Sequence, residues 1–267
     1  MTTEAVARPA ATILLLRDGA DGLEVFMVVR HHAIDFASGA LVFPGGRVDQ
    51  GDHVVAEAAA LCPNPHGLTV PDMAFRIAAI RETFEECGVL LARPAGTTDL
   101  VDADRLARIE AEHRAKLAAA EIGFDAVLQA HDLLPATDLL VHYAHWITPS
   151  NQPKRYDTQF FLVAAPPEHL AVHDGSESVD SVWISPRQAL ADTAAGRFKL
   201  VFATMKNLEK LARHDTVAAA IEAARTARVV TVQPRSTKLE DGRRKLIIPA
   251  DADYGGSEFI VDVPPAS

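Results

Sequence analysis

The 267-residue chain has little of what marks several protein classes. It holds two cysteines, Cys62 and Cys87, too few for a disulfide framework or a four-ligand zinc site, so both read as reduced thiols. Its longest N-terminal apolar run, Ala10 to Leu16, is followed at once by Arg17 and Asp18, too short for a membrane span or a signal h-region. Neither a G-x-G-x-x-G nor a G-x-x-x-x-G-K loop occurs, which removes the Rossmann and P-loop nucleotide folds. The eleven histidines show no H-E-x-x-H or other paired metal spacing and read as surface residues. Basic residues fall short of acidic ones, 26 against 36, and the formal charge of −10 repels a nucleic-acid backbone. What remains is a packed globular chain with 48% hydrophobic and 23% charged residues. No membrane and no nucleic-acid partner is expected, and the cytoplasm is the expected location.

Strands and helices alternate along the chain. Thr12–Leu16 and Leu23–Val29 are β-rich runs around a Gly/Asp cluster and read as a hairpin, and Leu41–Phe43 is a short strand stopped by Pro44-Gly45-Gly46. From Met73, apolar residues Ile77, Ile80, Phe84 and Cys87 recur at helical spacing until Gly88. Residues 103–120 read as a solvent-facing helix and 124–131 as another. Strands are expected over 139–147, 160–163 and 179–184, helices over 186–195 and 203–226, and a hairpin with a last strand in the tail. Trp146 and Trp183 lie in apolar strand runs and read as core.

The chemistry concentrates in Arg81-Glu82-Thr83-Phe84-Glu85-Glu86-Cys87-Gly88-Val89. At about 100° per residue, Glu82, Glu85 and Glu86 share one side of the helix, opposite Ile77, Ile80, Phe84 and Cys87. Three carboxylates so close repel one another unless a cation neutralises them, and oxygen donors select Mg²⁺ or Mn²⁺ over zinc. Alone, the cluster reads equally as a solvated acidic face. The Gly45-Gly46 turn tips the balance, because unhindered backbone can approach a phosphate and offer a carbonyl to a cation.

Phe43-Pro44-Gly45-Gly46 together with the Arg81–Val89 segment resembles the Nudix box, G-x5-E-x7-R-E-U-x-E-E-x-G-U. The box is split: the fifth residue after Gly46 is followed by Asp52 where the pattern has glutamate, and residues 53–80 stand where it has seven, an insertion of about 21 residues. A split box, Ala78-Ala79-Ile80, His145-Trp146-Ile147-Thr148-Pro149 and Lys154–Phe161 are similar to the coenzyme A diphosphatase subgroup.

The resemblance implies an α/β fold, the Nudix α/β/α sandwich with a mixed sheet. The domain would cover 10–190, with an insert at 53–73 and a helical insert at about 103–132, and a helical and hairpin extension over 191–267 packed on it. Glu85, Glu86 and Glu82 with the Gly46 carbonyl would bind Mg²⁺ or Mn²⁺. Glu82, held by Arg81, would either complete that site or take the proton from the attacking water, and Glu177 is either a second acid or an ordinary loop carboxylate. Gly45, Lys154 and Arg155 are the candidates for meeting substrate. Arg235, Lys238, Arg243, Arg244 and Lys245 form a basic hairpin that could suit a 3′-phosphate, but Glu240 and Asp241 interrupt it and a solvated face is the favoured reading. The insert, where Pro63, Pro65, Gly67 and Pro71 bar regular helix, is expected to form an irregular lobe bordering the substrate groove. The implied substrate is a small-molecule diphosphate, coenzyme A or an acyl-coenzyme A. ADP-ribose, NADH or dinucleoside polyphosphates are the alternative substrates, a nucleotide-sensing module without turnover is the alternative function, and a homodimer is left open.

Overall fold

The computed structural model describes residues 5–30, 40–64, 67–169 and 178–262. Strands β1 (Arg8–Gly19) and β2 (Gly22–Arg30) form the expected hairpin, followed by β3 (Leu41–Val42) and β4 (Gly45–Arg47). Helices α1 (Gln50–Glu57) and α2 (Val70–Cys87) come next, then β5 (Ala92–Pro94) and the insert helices α3 (Ala103–Ile109), α4 (Ala115–Ala118) and α5 (Phe124–Ala130). The chain continues through β6 (Leu133–Pro135), β7 (Val141–Ile147), β8 (Tyr156–Ala164), β9 (Ser178–Ile184), α6 (Pro186–Ala194), α7 (Phe202–Leu211) and α8 (Val217–Thr226). It ends with β10 (Thr231–Val232), β11 (Arg235–Lys238), β12 (Arg244–Ile247) and β13 (Glu258–Val261).

The main sheet has eight strands in the order β10-β7-β8-β1-β2-β3, with β4 also on β1 and β9 also on β2. β1 runs parallel to β8 and antiparallel to β2, so the sheet is mixed, as expected. Apolar residues occupy both sides of the central strands because helices cover both faces. Ile13, Leu15, Phe26, Val28 and Phe161 pack with α2, while Leu14, Leu16, Val25, Met27 and Leu162 pack with Leu208, Leu211 and Ala220 of α7 and α8. The architecture is the α/β/α sandwich.

α2 begins three residues before the Met73 start read from periodicity. The Thr69 hydroxyl accepts from the Asp72 N–H, and Pro71 sits in the first turn, where a missing N–H costs nothing. Pro71 therefore opens a helix instead of barring one, while residues 58–64 and 67–69 are irregular as expected. Gly88 ends α2 at φ 70° with its N–H on Phe84 O. Ile77, Ile80, Phe84 and Cys87 are fully buried, and buried Thr83 satisfies its hydroxyl by donating to Ala79 O at 2.7 Å.

Two other readings change, and one strand is new. Residues 203–226 form two helices, because Thr216 accepts from the Ala219 N–H and Asp18 accepts from the Val217 N–H, which starts a new helix inside an alanine-rich run. The insert helix at 103–118 is not simply solvent-facing: Leu106, Ile109 and Leu117 are buried, and Glu110–Arg114 forms a π-helical turn within it. β10 was not legible as a strand, yet it extends the main sheet beside β7. The tail hairpin and last strand stand as expected in β11–β13. Both cysteines are free and buried, and no helix among the described residues is long and apolar enough to cross a membrane.

Because Phe84 fills the junction of α2 and the sheet, Phe84→Ala should cost about 3–5 kcal/mol through the cavity it leaves. A chemical denaturation curve with an unshifted midpoint would contradict this packing.

Candidate active site

The Gly45-Gly46 turn lies directly on the carboxylate face of α2. Gly45 has φ 153°, and a Cβ there would stand 2.3 Å from Ala11 O, so only glycine fits. Its N–H donates to Glu86 Oε2 at 3.0 Å. At Gly46 a Cβ would fall 2.3 Å from Glu82 Oε1, so the missing side chain is what lets that carboxylate pack against the turn. β4 holds both glycines in register with β1, Thr12 opposite Gly45 and Ala11 opposite Gly46.

Arg81 ties these parts together. Its Nε and Nη2 donate to Asp52 Oδ1 and Oδ2, each at 2.9 Å, and Nη2 also donates to Arg47 O at 2.9 Å. Nη1 donates to Glu82 Oε1 at 2.9 Å and Glu85 Oε1 at 3.1 Å. Asp52 is fully buried and is aimed by a capping box: its N–H donates to Asp49 Oδ1, and its Oδ2 accepts from the Asp49 N–H. Burial works against the Arg81 charge, but the bonds and charges of Asp52, Glu82 and Glu85 outweigh it and the guanidinium stays charged. Burial pushes the Glu82 carboxyl up to about 7, with Arg81 opposing and Glu85 adding. Glu85 is also raised by burial. One arginine thus leaves the carboxylates short of positive charge, and an all-oxygen donor set in that condition fits a hard divalent cation.

Above this floor opens a cleft of about 1230 Å³. Glu82 and Glu85 reach it, while Glu86 lies beneath the glycine turn. Two exposed cations, Arg8 and Arg47, line it, and Trp146, Phe160 and Phe202 give it an aromatic wall. Leu117, Ile122 and Phe124 of the helical insert line it as well, as an apolar wall.

A family model for the NUDT19 Nudix domain matches residues 56–210, more than half of the chain. The chain belongs to the Nudix family. The match contains the whole of α2 and begins after the glycine turn and Asp52. Acyl-coenzyme A diphosphatase NUDT19 of Gallus gallus is 29% identical over 236 residues, covering 68% of this chain and 62% of that protein. The Homo sapiens protein of the same name is 28% identical over 207 residues, covering 64% and 55%. The chain therefore spans between half and two thirds of the length of these relatives. Among solved structures, the NUDIX hydrolase of Alicyclobacillus acidocaldarius superposes with a TM-score of 0.69 at 29% identity, covering 82% of this chain and 96% of that one.

The split box closes in space although it is open in sequence. Asp52, the position left in doubt by counting, is the bidentate partner of Arg81 across the insertion. The lobe expected to border the groove does not: among its described residues, 58–64 and 67–69, none lines the Nudix cleft, and Pro63 and Leu68 face a separate hollow of about 860 Å³ near Arg76 and His142. Segment 117–124 takes its place as the wall.

Arg155 is also placed differently from the substrate contact first read for it. It is buried, donates from Nε to Thr148 O and from Nη1 to Ala5 O, and so holds the N-terminal segment beside β8. Lys154 is exposed and does not line the cleft. Arg8 and Arg47, which stand there instead, carried no motif signal, although Arg47 directly follows the glycine pair. Glu177 lies outside the described residues, as does the His31-His32 pair. The basic hairpin is partly self-neutralised, Arg243 on Asp241 and Lys245 on Glu258, as a solvated face would be. Trp146 is core as read, with its Nε1 donating to the Tyr254 hydroxyl, and its ring also reaches the cleft. The surface reading of the histidines fails for His113, His131 and His169, which are largely buried.

Removing one member of a buried ion pair strands the other. Asp52→Ala should therefore lower stability by about 3–5 kcal/mol. Equal urea midpoints for variant and wild type would show that Arg81 is satisfied without it.

Proposed function

We propose that the chain hydrolyses a diphosphate linkage, with coenzyme A or an acyl-coenzyme A as substrate. The observation that carries the reading is the seating of the Gly45-Gly46 turn on Glu82 and Glu86 at the floor of a large cleft, with Arg81 bonded to Asp52, Glu82 and Glu85. The names of the avian and human relatives favour acyl-coenzyme A over other diphosphates. The cleft agrees chemically, since its lining combines the cations Arg8 and Arg47, which can meet phosphate, with apolar side chains such as Leu117, Ile122 and Phe124. The two buried thiols suit a reducing compartment such as the cytoplasm.

Glu82, Glu85 and Glu86 with the Gly46 carbonyl would hold Mg²⁺ or Mn²⁺. That ion, when bound, neutralises charge on the diphosphate and makes a water more acidic. Glu82 would either complete that site or accept the proton of a water attacking phosphorus. Arg81 fixes Glu82 and Glu85 in orientation, so that neither must be reorganised when substrate arrives. Arg8 and Arg47 would meet the phosphates, with the unhindered Gly45 backbone beside them. Glu177, immediately before β9, is the remaining candidate for a second acid. The intact carboxylate face speaks against a sensing module without turnover.

Glu82→Gln should lower kcat by roughly 10²–10⁴-fold with the circular dichroism unchanged. Glu86→Gln should weaken Mg²⁺ binding while its amide oxygen still accepts from Gly45. The deciding assay is a hydrolysis panel of coenzyme A, acetyl-coenzyme A, ADP-ribose, NADH and diadenosine tetraphosphate, each with Mg²⁺, Mn²⁺ or EDTA. Preference for the coenzyme A thioester supports the reading. Turnover confined to ADP-ribose, NADH or the dinucleotide would replace the substrate, and no turnover on any would remove the enzyme.

A further inference from the structure

Outside the Nudix cleft, the described residues gather three metal-ligating side chains, Glu112, His113 and His131, whose ligand atoms lie within 4.8 Å of one another. His113 stands in the π-helical turn Glu110–Arg114, a form that occurs mostly as single turns inside helices and often at functional sites. His131 caps the C-terminal end of α5, so the two rings come from different segments of the helical insert. They meet edge to face with centroids 5.0 Å apart. Glu112 approaches both, 3.5 Å from His113 Nε2 and 3.8 Å from His131 Nε2.

The decisive feature is what these rings lack. His113 Nδ1, His113 Nε2 and His131 Nε2 are buried without a hydrogen-bond partner among the described residues. Buried polar nitrogens are almost always satisfied, so three in one cluster call for an explanation. An apolar packing role would be served better by phenylalanine or leucine, which strand no polar atom. We propose that Glu112, His113 and His131 bind a Zn²⁺ or similar borderline transition-metal ion that pins the two halves of the insert together.

The donor set supports that class of ion. Two imidazoles and one carboxylate favour Zn²⁺ over Mg²⁺, and they resemble three-ligand sites that leave a fourth position to water. Glu112 is the exposed member of the cluster, so solvent can complete the shell. Arg105 and Arg108 stand nearby and oppose a cation, but Arg105 is bonded to His131 O, and Glu112 supplies the compensating charge.

The site would act on the cleft at one remove. Its ligands at 112–113 and 131 bracket segment 117–124, the wall of the cleft formed by Leu117, Ile122 and Phe124. Arg114, next to His113, donates from Nε to Glu85 O at 2.9 Å and so ties the same turn to the end of α2. An ion here would restrain the wall against the helix that carries the carboxylates.

The test is Zn²⁺ binding by the full chain in excess Mg²⁺, read by metal retained after desalting, by titration calorimetry and by the visible spectrum of the Co²⁺ form. The wild type and Glu86→Gln should each retain one equivalent, which separates this site from the Nudix carboxylates and leaves the proposal independent of the substrate assignment. His113→Gln and His131→Asn should weaken Zn²⁺ by at least the ~100-fold upper range for losing only a supporting group around a metal. Glu112→Gln, at an exposed position, serves as the variant whose folding is not at risk, and it should also lose affinity. Zn²⁺ should further slow proteolysis within 117–124 in the wild type only. Absence of a tight equivalent in the wild type, or equal binding by the three variants, would overturn the site and leave His113 and His131 as a packed pair.

Discussion

The buried pair between Arg81 and Asp52 is the constraint on which the site depends. Two side chains of opposite charge, one fully buried and one nearly so, meet through two bonds of 2.9 Å. Such a pair is a poor source of net stability, because desolvation offsets most of the attraction. Its value is positional. It joins the first turn of α1, just after the glycine strand β4, to the middle of α2, across 29 positions of chain. The entropy of closing a loop rises slowly with length, so an insertion of this size is tolerated if something re-registers its ends. The capping box on α1 aims Asp52, Asp52 holds Arg81, and Arg81 holds Glu82 and Glu85.

That chain of contacts works because α2 has two unlike sides. Its apolar residues are locked between the sheet and the insert, which removes rotational freedom from the helix and fixes where the opposite side points. A carboxylate carried on such a rigid element needs no ordering when a substrate arrives. The same rigidity keeps Glu82 close to the Gly46 backbone, out of water, and this burial raises its carboxyl above the ordinary glutamate value.

The helical insert gives the cleft its second wall and touches the reaction floor through Arg114 and Glu85 O. The proline-bearing lobe, larger in the sequence as a departure from the box, faces another hollow altogether. The lining of the cleft is therefore drawn from segment 117–124, from Trp146 and Phe202, and from the cations Arg8 and Arg47.

Local information was enough for much of this. The three- and four-residue spacing of Ile77, Ile80, Phe84 and Cys87 defined the buried side of α2, and with it the side carrying Glu82, Glu85 and Glu86. The continuous apolar runs of β1 and β2 and the two glycines at 45 and 46 were legible for the same reason: backbone geometry and local composition are properties of neighbouring residues. Contacts between distant residues were not. Asp52 looked displaced because counting along the chain cannot see that α1 folds it back onto Arg81. Arg155 and Arg47 are both arginines beside a strand, and only packing turned one inward to main-chain carbonyls and left the other on the cleft. His113 and His131 share no motif, since their meeting is produced by a π-helical turn and the end of a second helix. Neighbouring residues set which faces are apolar and which segments bend; folding settled which charges meet, because burial and pairing depend on atoms brought together from far along the chain.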